Sequence, residues 1–312
     1  MDEYKDCVMK EIGGYLELEC GRAEPYHKDG VYLNSGRNAL KYIIRCLGIK
    51  RIHVPHYTCP VVQQSISMEG CEVEMYELDS KLMPARKFPK NDFIIFNNYF
   101  GCTGQNVAVM IAEYPNLIVD NAQAFYSRQI GRAAFYSPRK FFGVPDGGVA
   151  VFRDKDDDKK LCLEHDVSFN RMTHLLKRID LSAEAGYADF KAVSQDLVNA
   201  PVRYMSRLTK SLMGNIDYAM AAKARMTNFI YISEALASSF PFGMSADDVP
   251  MIYPYITGSD IRRQLFAKII YVATYWSHVD DHGNMSERLL PLPIDQRYGE
   301  YEMDQIIRAV KI

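Results

Sequence analysis

The amino-acid sequence predicts an α/β protein: a mainly parallel sheet sandwiched by helices, followed by a smaller C-terminal α+β domain. Three observations carry this. Short apolar runs alternate with helix-patterned segments from about residue 31 to residue 152, the pattern of a parallel sheet with helices on both faces. Polar residues and glycine close nearly every one of those runs, and open α/β sheets hold their ligands just past the carboxyl ends of the strands. After residue 152 the alternation gives way to mostly helical spacing, and strand-like runs return only near the C-terminus. The expected division is 1–210 for a large domain, N-terminal segment included, and 211–312 for a small one.

Composition narrows the classes. The chain has 312 residues, 48% of them hydrophobic and 24% charged, as in ordinary globular proteins. A net charge of −2 implies no general affinity for nucleic acid or an anionic membrane surface. The seven cysteines form no CxxC pair, which fits reduced thiols and a cytoplasmic protein. The polar N-terminus is unlike a signal peptide, and no apolar run approaches membrane-spanning length. Phosphate-loop, HExxH and GxSxG motifs are absent.

Taken in order, residues 11–20 read as a turn followed by an edge strand. Val31–Asn34 is a short strand that meets Ser35-Gly36-Arg37-Asn38, and residues 39–47 have the apolar spacing of a helix. A strand, a Ser-Gly turn and a helix leave free backbone N–H groups and a positive dipole end at the sheet rim. Such a terminus serves equally as a plain N-cap or as a phosphate site. Arg51–Pro55 is the next strand, with His56-Tyr57-Thr58-Cys59 before an apolar helix from Pro60. Residues 71–76 alternate like a strand. Asp92–Phe96 is a buried strand ending in Asn97-Asn98-Tyr99-Phe100-Gly101, and Gln105 to Glu113 is a helix. Leu117-Ile118-Val119 ends in Asp120. Ala133–Tyr136 ends in Ser137, with Lys140 three residues on. The turn Asp146-Gly147-Gly148 then leads into the strand-like run Val149–Phe152. The charged run Asp154–Lys160 reads as a solvated helix start or loop. Residues 156–240 read as mostly helical, with one long amphipathic segment from Tyr204 to Leu236. Val249–Tyr255 and Leu289–Asp295 read as strands, and Ile261–Tyr271 and Tyr301–Val310 as helices.

One carboxylate, Asp120, and one amine, Lys140, thus emerge at the same rim. On these residues alone two readings stand. Asp caps the following turn and Lys is solvated; or the pair serves a pyridoxal phosphate (PLP) site, where a lysine forms a Schiff base and an acid faces the pyridinium nitrogen.

The stretch Val119-Asp120-Asn121-Ala122-Gln123-Ala124, followed by Ser137-Pro138-Arg139-Lys140 and Asp146-Gly147-Gly148, resembles the heart of the DegT-type sugar aminotransferases, a branch of the fold-type I PLP enzymes. The resemblance covers nearly the whole chain, most specifically at 117–148 and least at 153–245. It implies that Lys140 forms the Schiff base and carries protons, that Asp120 keeps the pyridine nitrogen protonated, and that Gln123 hydrogen-bonds the ring's phenolic oxygen. It places Ser35, Gly36, Arg37 and Ser137 at the phosphate, and Asn98 in a turn close to the cofactor.

Three positions depart from the family pattern. Arg37 replaces a Thr. Cys59 stands where an aromatic ring stacks on the pyridine, with Tyr57 the candidate to take that place. Phe135 stands where a Ser usually lies five residues before the lysine. The resemblance further implies a homodimer, and Phe169-Asn170-Arg171-Met172 is similar to a family motif whose Asn reaches the partner's phosphate site; locally the same run reads as a helix start. The implied activity is transfer of an amino group from an amino acid to a keto sugar nucleotide, since Lys140 stands where related dehydratases carry His. Two other readings remain: a catalytically degenerate homologue that binds a sugar or a protein partner, and another PLP reaction of lyase type.

Overall fold

The computed structural model describes residues 12–21, 23–236, 243–257, 261–276 and 288–311. Its centre is a seven-stranded sheet: β1 (Val31–Leu33), β2 (Arg51–Pro55), β3 (Glu72–Tyr76), β4 (Phe93–Asn97), β5 (Leu117–Asp120), β6 (Ala133–Tyr136) and β7 (Gly148–Phe152), in the spatial order β1-β7-β6-β5-β4-β2-β3. Only β7 runs against its neighbours; the remaining pairs are parallel. The strand order reverses between β2 and β4. At such a reversal the connections leave on opposite faces and open a crevice at the carboxyl edge.

The strands are apolar on both faces, as a covered parallel sheet requires. Ile52, Val54, Ile95, Ile118, Ala133 and Phe135 pack with the buried faces of α1 (Gly36–Leu47) and α2 (Pro60–Met68). The alternate residues Ile94, Phe96, Leu117, Val119, Ala134 and Tyr136 pack on the other face with Val107 and Met110 of α3 (Gly104–Glu113). The fold class read from the sequence is the one observed.

Beyond β7 the structure differs from the sequence reading in several places. The charged run 154–160 holds a single 3-10 turn, Lys155–Asp157. It is anchored as well as solvated: Arg132 donates to both oxygens of Asp157 at 2.9 and 3.0 Å, and the Tyr42 hydroxyl donates to Asp158 at 2.6 Å. Residues 161–168 form no helix, and Tyr204 forms isolated bridges to both Leu33 and His165. Helix resumes with α4 (Thr173–Asp180) and α5 (Ala183–Asp196).

The single helix expected over 204–236 is two, α6 (Arg207–Met213) and α7 (Tyr218–Leu236). Ser206 starts the first by accepting from the Thr209 amide at 3.1 Å. The break at Gly214-Asn215 receives the N-terminal strap: the Gly21 amide donates to the Asn215 side chain, and the Ala23 amide to the Gly214 carbonyl. Residues 12–20 form no strand.

The C-terminal strands β8 (Ile252–Ile256) and β9 (Leu289–Pro293) pair antiparallel. Between them α8 is shorter than expected, Arg262–Ala267, and the chain turns at Ile269 with φ 61°. The last helix, α9 (Glu300–Val310), packs with α7 and this small sheet in one hydrophobic cluster that also holds Tyr57, Tyr99, Phe141 and Trp276. The start of the 11–20 segment, Cys7 and the end of the helical stretch at 237–240 lie outside the described residues.

Candidate active site

A small cleft opens at the carboxyl edge, at the reversal of strand order, lined by Cys59, Asn97, Asn98, Asp120, Gln123, Lys140 and Trp276. Strand register explains most of this list. Asn97 ends β4 opposite Asp120 at the end of β5, and side chains in register on neighbouring strands leave the sheet on the same face.

Asp120 is buried, and its Oδ1 accepts from the Ala122 amide at 2.8 Å. Burial pushes its carboxyl up to about 6, against the opposing pull of the Lys140 ammonium and the Ala122 hydrogen bond. Lys140 ends the 3-10 turn Pro138–Lys140, which follows β6 directly, and its side chain is exposed at the cleft. Gln123 is buried, and its Oε1 accepts from the Phe100 amide at 3.0 Å. That contact fixes the amide plane, so Nε2 is the end that donates. Phe100 makes it from a left-handed backbone, φ 58°, which a bulky residue adopts only where its surroundings impose it. The next residue, Gly101, is also left-handed, φ 70°, and packed so closely that a Cβ there would lie 2.8 Å from the Val249 carbonyl.

The two asparagines divide. Asn98 is occupied within its turn, donating to Asn121 at 3.1 Å and accepting from the Thr103 hydroxyl at 3.2 Å. Asn97 donates to the Thr58 hydroxyl at 2.8 Å, while its Oδ1 is buried without a partner. Sequence reading did not select Asn97 as a site residue; its register with Asp120 is the signal that finds it. Trp276 was also passed over. Tyr57 lies at the cleft's back rather than on its surface, buried against Tyr99 and Trp276 at centroid distances of 5.8 and 4.6 Å.

Beside the cleft, Ser35, Gly36 and Arg37 meet Ser137. Ser35 caps α1 by accepting from the Asn38 amide at 3.2 Å. A Cβ on Gly36 would sit 3.2 Å from that of Ser137, so the glycine lets the helix start come against the lysine turn. Gly147, φ 131°, donates to the Asn34 carbonyl at 3.0 Å and locks the same corner. The corner is electropositive. Arg37 has a buried Nε without a partner. Burial holds the Arg139 guanidinium down at about 10, with the Arg37 and Arg171 charges adding and only Asp146 opposing. Arg171 is held by Asp166 at 2.8 Å. Asn170 is exposed in the 3-10 turn Phe169–Arg171.

The architecture is similar to that of the aminotransferase TlmJ from Streptoalloteichus hindustanus, at 15% identity over 91% of this chain and 85% of that one, with a TM-score of 0.62. A DegT DnrJ EryC1 StrS aminotransferase from Brucella abortus gives 17% identity, 90% and 85% coverage and a TM-score of 0.58. The PLP-form of the sugar aminotransferase Spr1654 from Streptococcus pneumoniae gives 15%, 90% and 86%, and 0.60. The fold is that of the DegT-type aminotransferases. No family model matches the sequence, and no curated protein matches it. The likeness is therefore one of fold, and the chemistry rests on the residues of the cleft.

Proposed function

We propose that the chain is a PLP-dependent aminotransferase that passes an amino group from an amino acid to a keto sugar nucleotide. The observation that carries this is the convergence of Asp120 and Gln123, from the end of β5, with Lys140, from the end of β6, in one cleft at the strand-order reversal. Three features fit the group. The Arg37 Nε is buried and unmatched, Gly36 and Ser137 leave a close-walled corner, and the α1 amino terminus faces it, which together suit a phosphate dianion.

When bound, PLP supplies a carbonyl for covalent capture of amines and a ring that accepts electrons. The chain's residues supply the rest. Asp120, as a carboxylate, holds a proton on the ring nitrogen; that cationic partner offsets the burial that otherwise drives the carboxyl to about 6. Gln123 Nε2 donates to the ring hydroxyl oxygen. Ser137, Arg37 and the free amides of α1 hold the phosphate. Lys140 Nζ anchors the cofactor and afterwards moves protons at the substrate carbon. Asn98 frames the ring site through its turn.

A homodimer belongs to the same reading. Phe169, Ile179, Leu181 and Tyr187 are 74%, 81%, 68% and 58% exposed along α4, α5 and the turn before them, an apolar belt of the kind that marks an interface. A location in the cytoplasm fits the free thiols among the described cysteines.

One second reading has an observation in its favour. Cys59 lines the cleft and offers no ring to a cofactor, as in a homologue that binds a sugar or protein partner without turnover. Absorbance with added PLP, followed by borohydride reduction and peptide mapping, separates the two. The aminotransferase reading expects a visible band that reduction fixes onto Lys140 and that is lost in Lys140→Ala. Absence of the band, or its persistence in that variant, refutes it.

A further inference from the structure

The chain has one tryptophan, and it lines the cleft. Trp276 is 9% exposed and follows α8 in the C-terminal part of the chain, remote in sequence from the other cleft residues. Its backbone is left-handed, φ 51°, an arrangement that persists only where surroundings impose it. The surroundings here are aromatic. Trp276 meets Tyr57 edge to face at 4.6 Å and 82°, and Tyr99 at 6.1 Å and 72°. The preceding Tyr275 stacks on Phe100 at 6.1 Å and 17°, the residue whose amide holds Gln123. The same aromatic group thus sets both the indole and the amide donor.

Among the described cleft-lining residues Trp276 is the only aromatic; the others are Cys59, Asn97, Asn98, Asp120, Gln123 and Lys140. A planar ring seated between Asp120 and Lys140 is otherwise bordered by polar or small groups. A ring kept protonated by Asp120 is a cation, and an indole is the best side chain against which to pack one. We propose that Trp276 is a binding residue of this site, its indole the apolar surface on which the protonated heteroaromatic ring of the cofactor packs. This rests on the PLP reading of the cleft and assigns to it a residue from the far end of the chain.

Because there is a single tryptophan, the protein's own fluorescence reports on that position without any substitution. On titration of the full chain with PLP, corrected for absorption by the cofactor, indole emission is expected to fall saturably. Its midpoint should match that of the visible band. Trp276→Ala is expected to weaken PLP binding about three- to thirty-fold, measured by the visible band, while Trp276→Phe stays near the native value. A band that reduces onto Lys140 while emission is unchanged and Trp276→Ala binds like the native chain overturns the assignment and leaves the cofactor reading intact. Absence of any band overturns both.

Discussion

At the scale of single residues, the site turns on a carboxylate kept where water does not help it. Asp120 has one hydrogen bond and a lysine within electrostatic reach, and burial still raises it to about 6. Between about pH 4 and 6 the native chain therefore holds a proton that the unfolded chain has released, so cofactor-free stability falls as pH rises through that window. Asp120→Asn removes the buried charge and keeps the acceptor for Ala122. It is expected to raise cofactor-free stability above pH 6 by up to about 3 kcal/mol, with the gain shrinking toward pH 4; thermal melts across pH check this, and a destabilised variant at pH 8 refutes it. Added PLP should stabilise the native chain far more than the variant.

Asp120 and Lys140 could be put at one rim from the sequence because each ends or follows an apolar run whose strand character is plain; their pairing at a cofactor, and Gln123 altogether, came from the family resemblance. Asn97 and Trp276 came from neither. Asn97 looks like one of two turn residues until strand register puts it beside Asp120, and Trp276 reaches the cleft only through tertiary packing.

At the scale of elements, local patterns foretold β2, β4, β5 and β6 to within a residue and α1 to within three, because buried strands and a Ser-capped helix write themselves in adjacent residues. They failed over 204–236, where the break depends on Gly214 and Asn215 receiving the strap at Gly21 from the other end of the chain. They also missed the role of α7. Arg225, 1% exposed, donates to the carbonyls of Met251 at 3.0 Å, Phe141 at 3.3 Å and Pro250 at 3.4 Å, and lies over the Phe141 ring at 4.6 Å. Burial lowers its guanidinium to about 10. The helix thereby ties the residue after Lys140 to the segment entering β8. Arg225→Met strips three buried carbonyls of a donor and is expected to destabilise the fold by about 3 kcal/mol or more. It should also loosen the lysine turn, read as faster hydrogen exchange at Phe141 and Phe142. Denaturant melts within 1 kcal/mol of the native chain, on the order of one hydrogen bond, would show that the clamp matters little.

At the scale of the whole molecule, the alternation of strands and helices foretold the sheet, and the reversal of strand order between β2 and β4 locates the cleft without reference to any side chain. The exposed belt on α4 and α5 belongs to this scale too. If it joins two copies, light scattering should report a dimer for the native chain and a monomer for Ile179→Glu with Leu181→Glu, at unchanged helix content. A monomeric native chain at tens of micromolar, on the order of working concentrations for transient pairs, would remove the dimer from the proposal.

The carbonyl of Phe141, next to Lys140, is grasped by Arg225 and by Gln296, residues 84 and 155 positions further along. During synthesis, then, the strands that carry Asp120 and Lys140 leave the ribosome long before the groups that set the lysine turn. A nascent chain halted near residue 200 can pair its sheet, yet the finished reactive corner has to wait until the segment carrying Gln296 has been made.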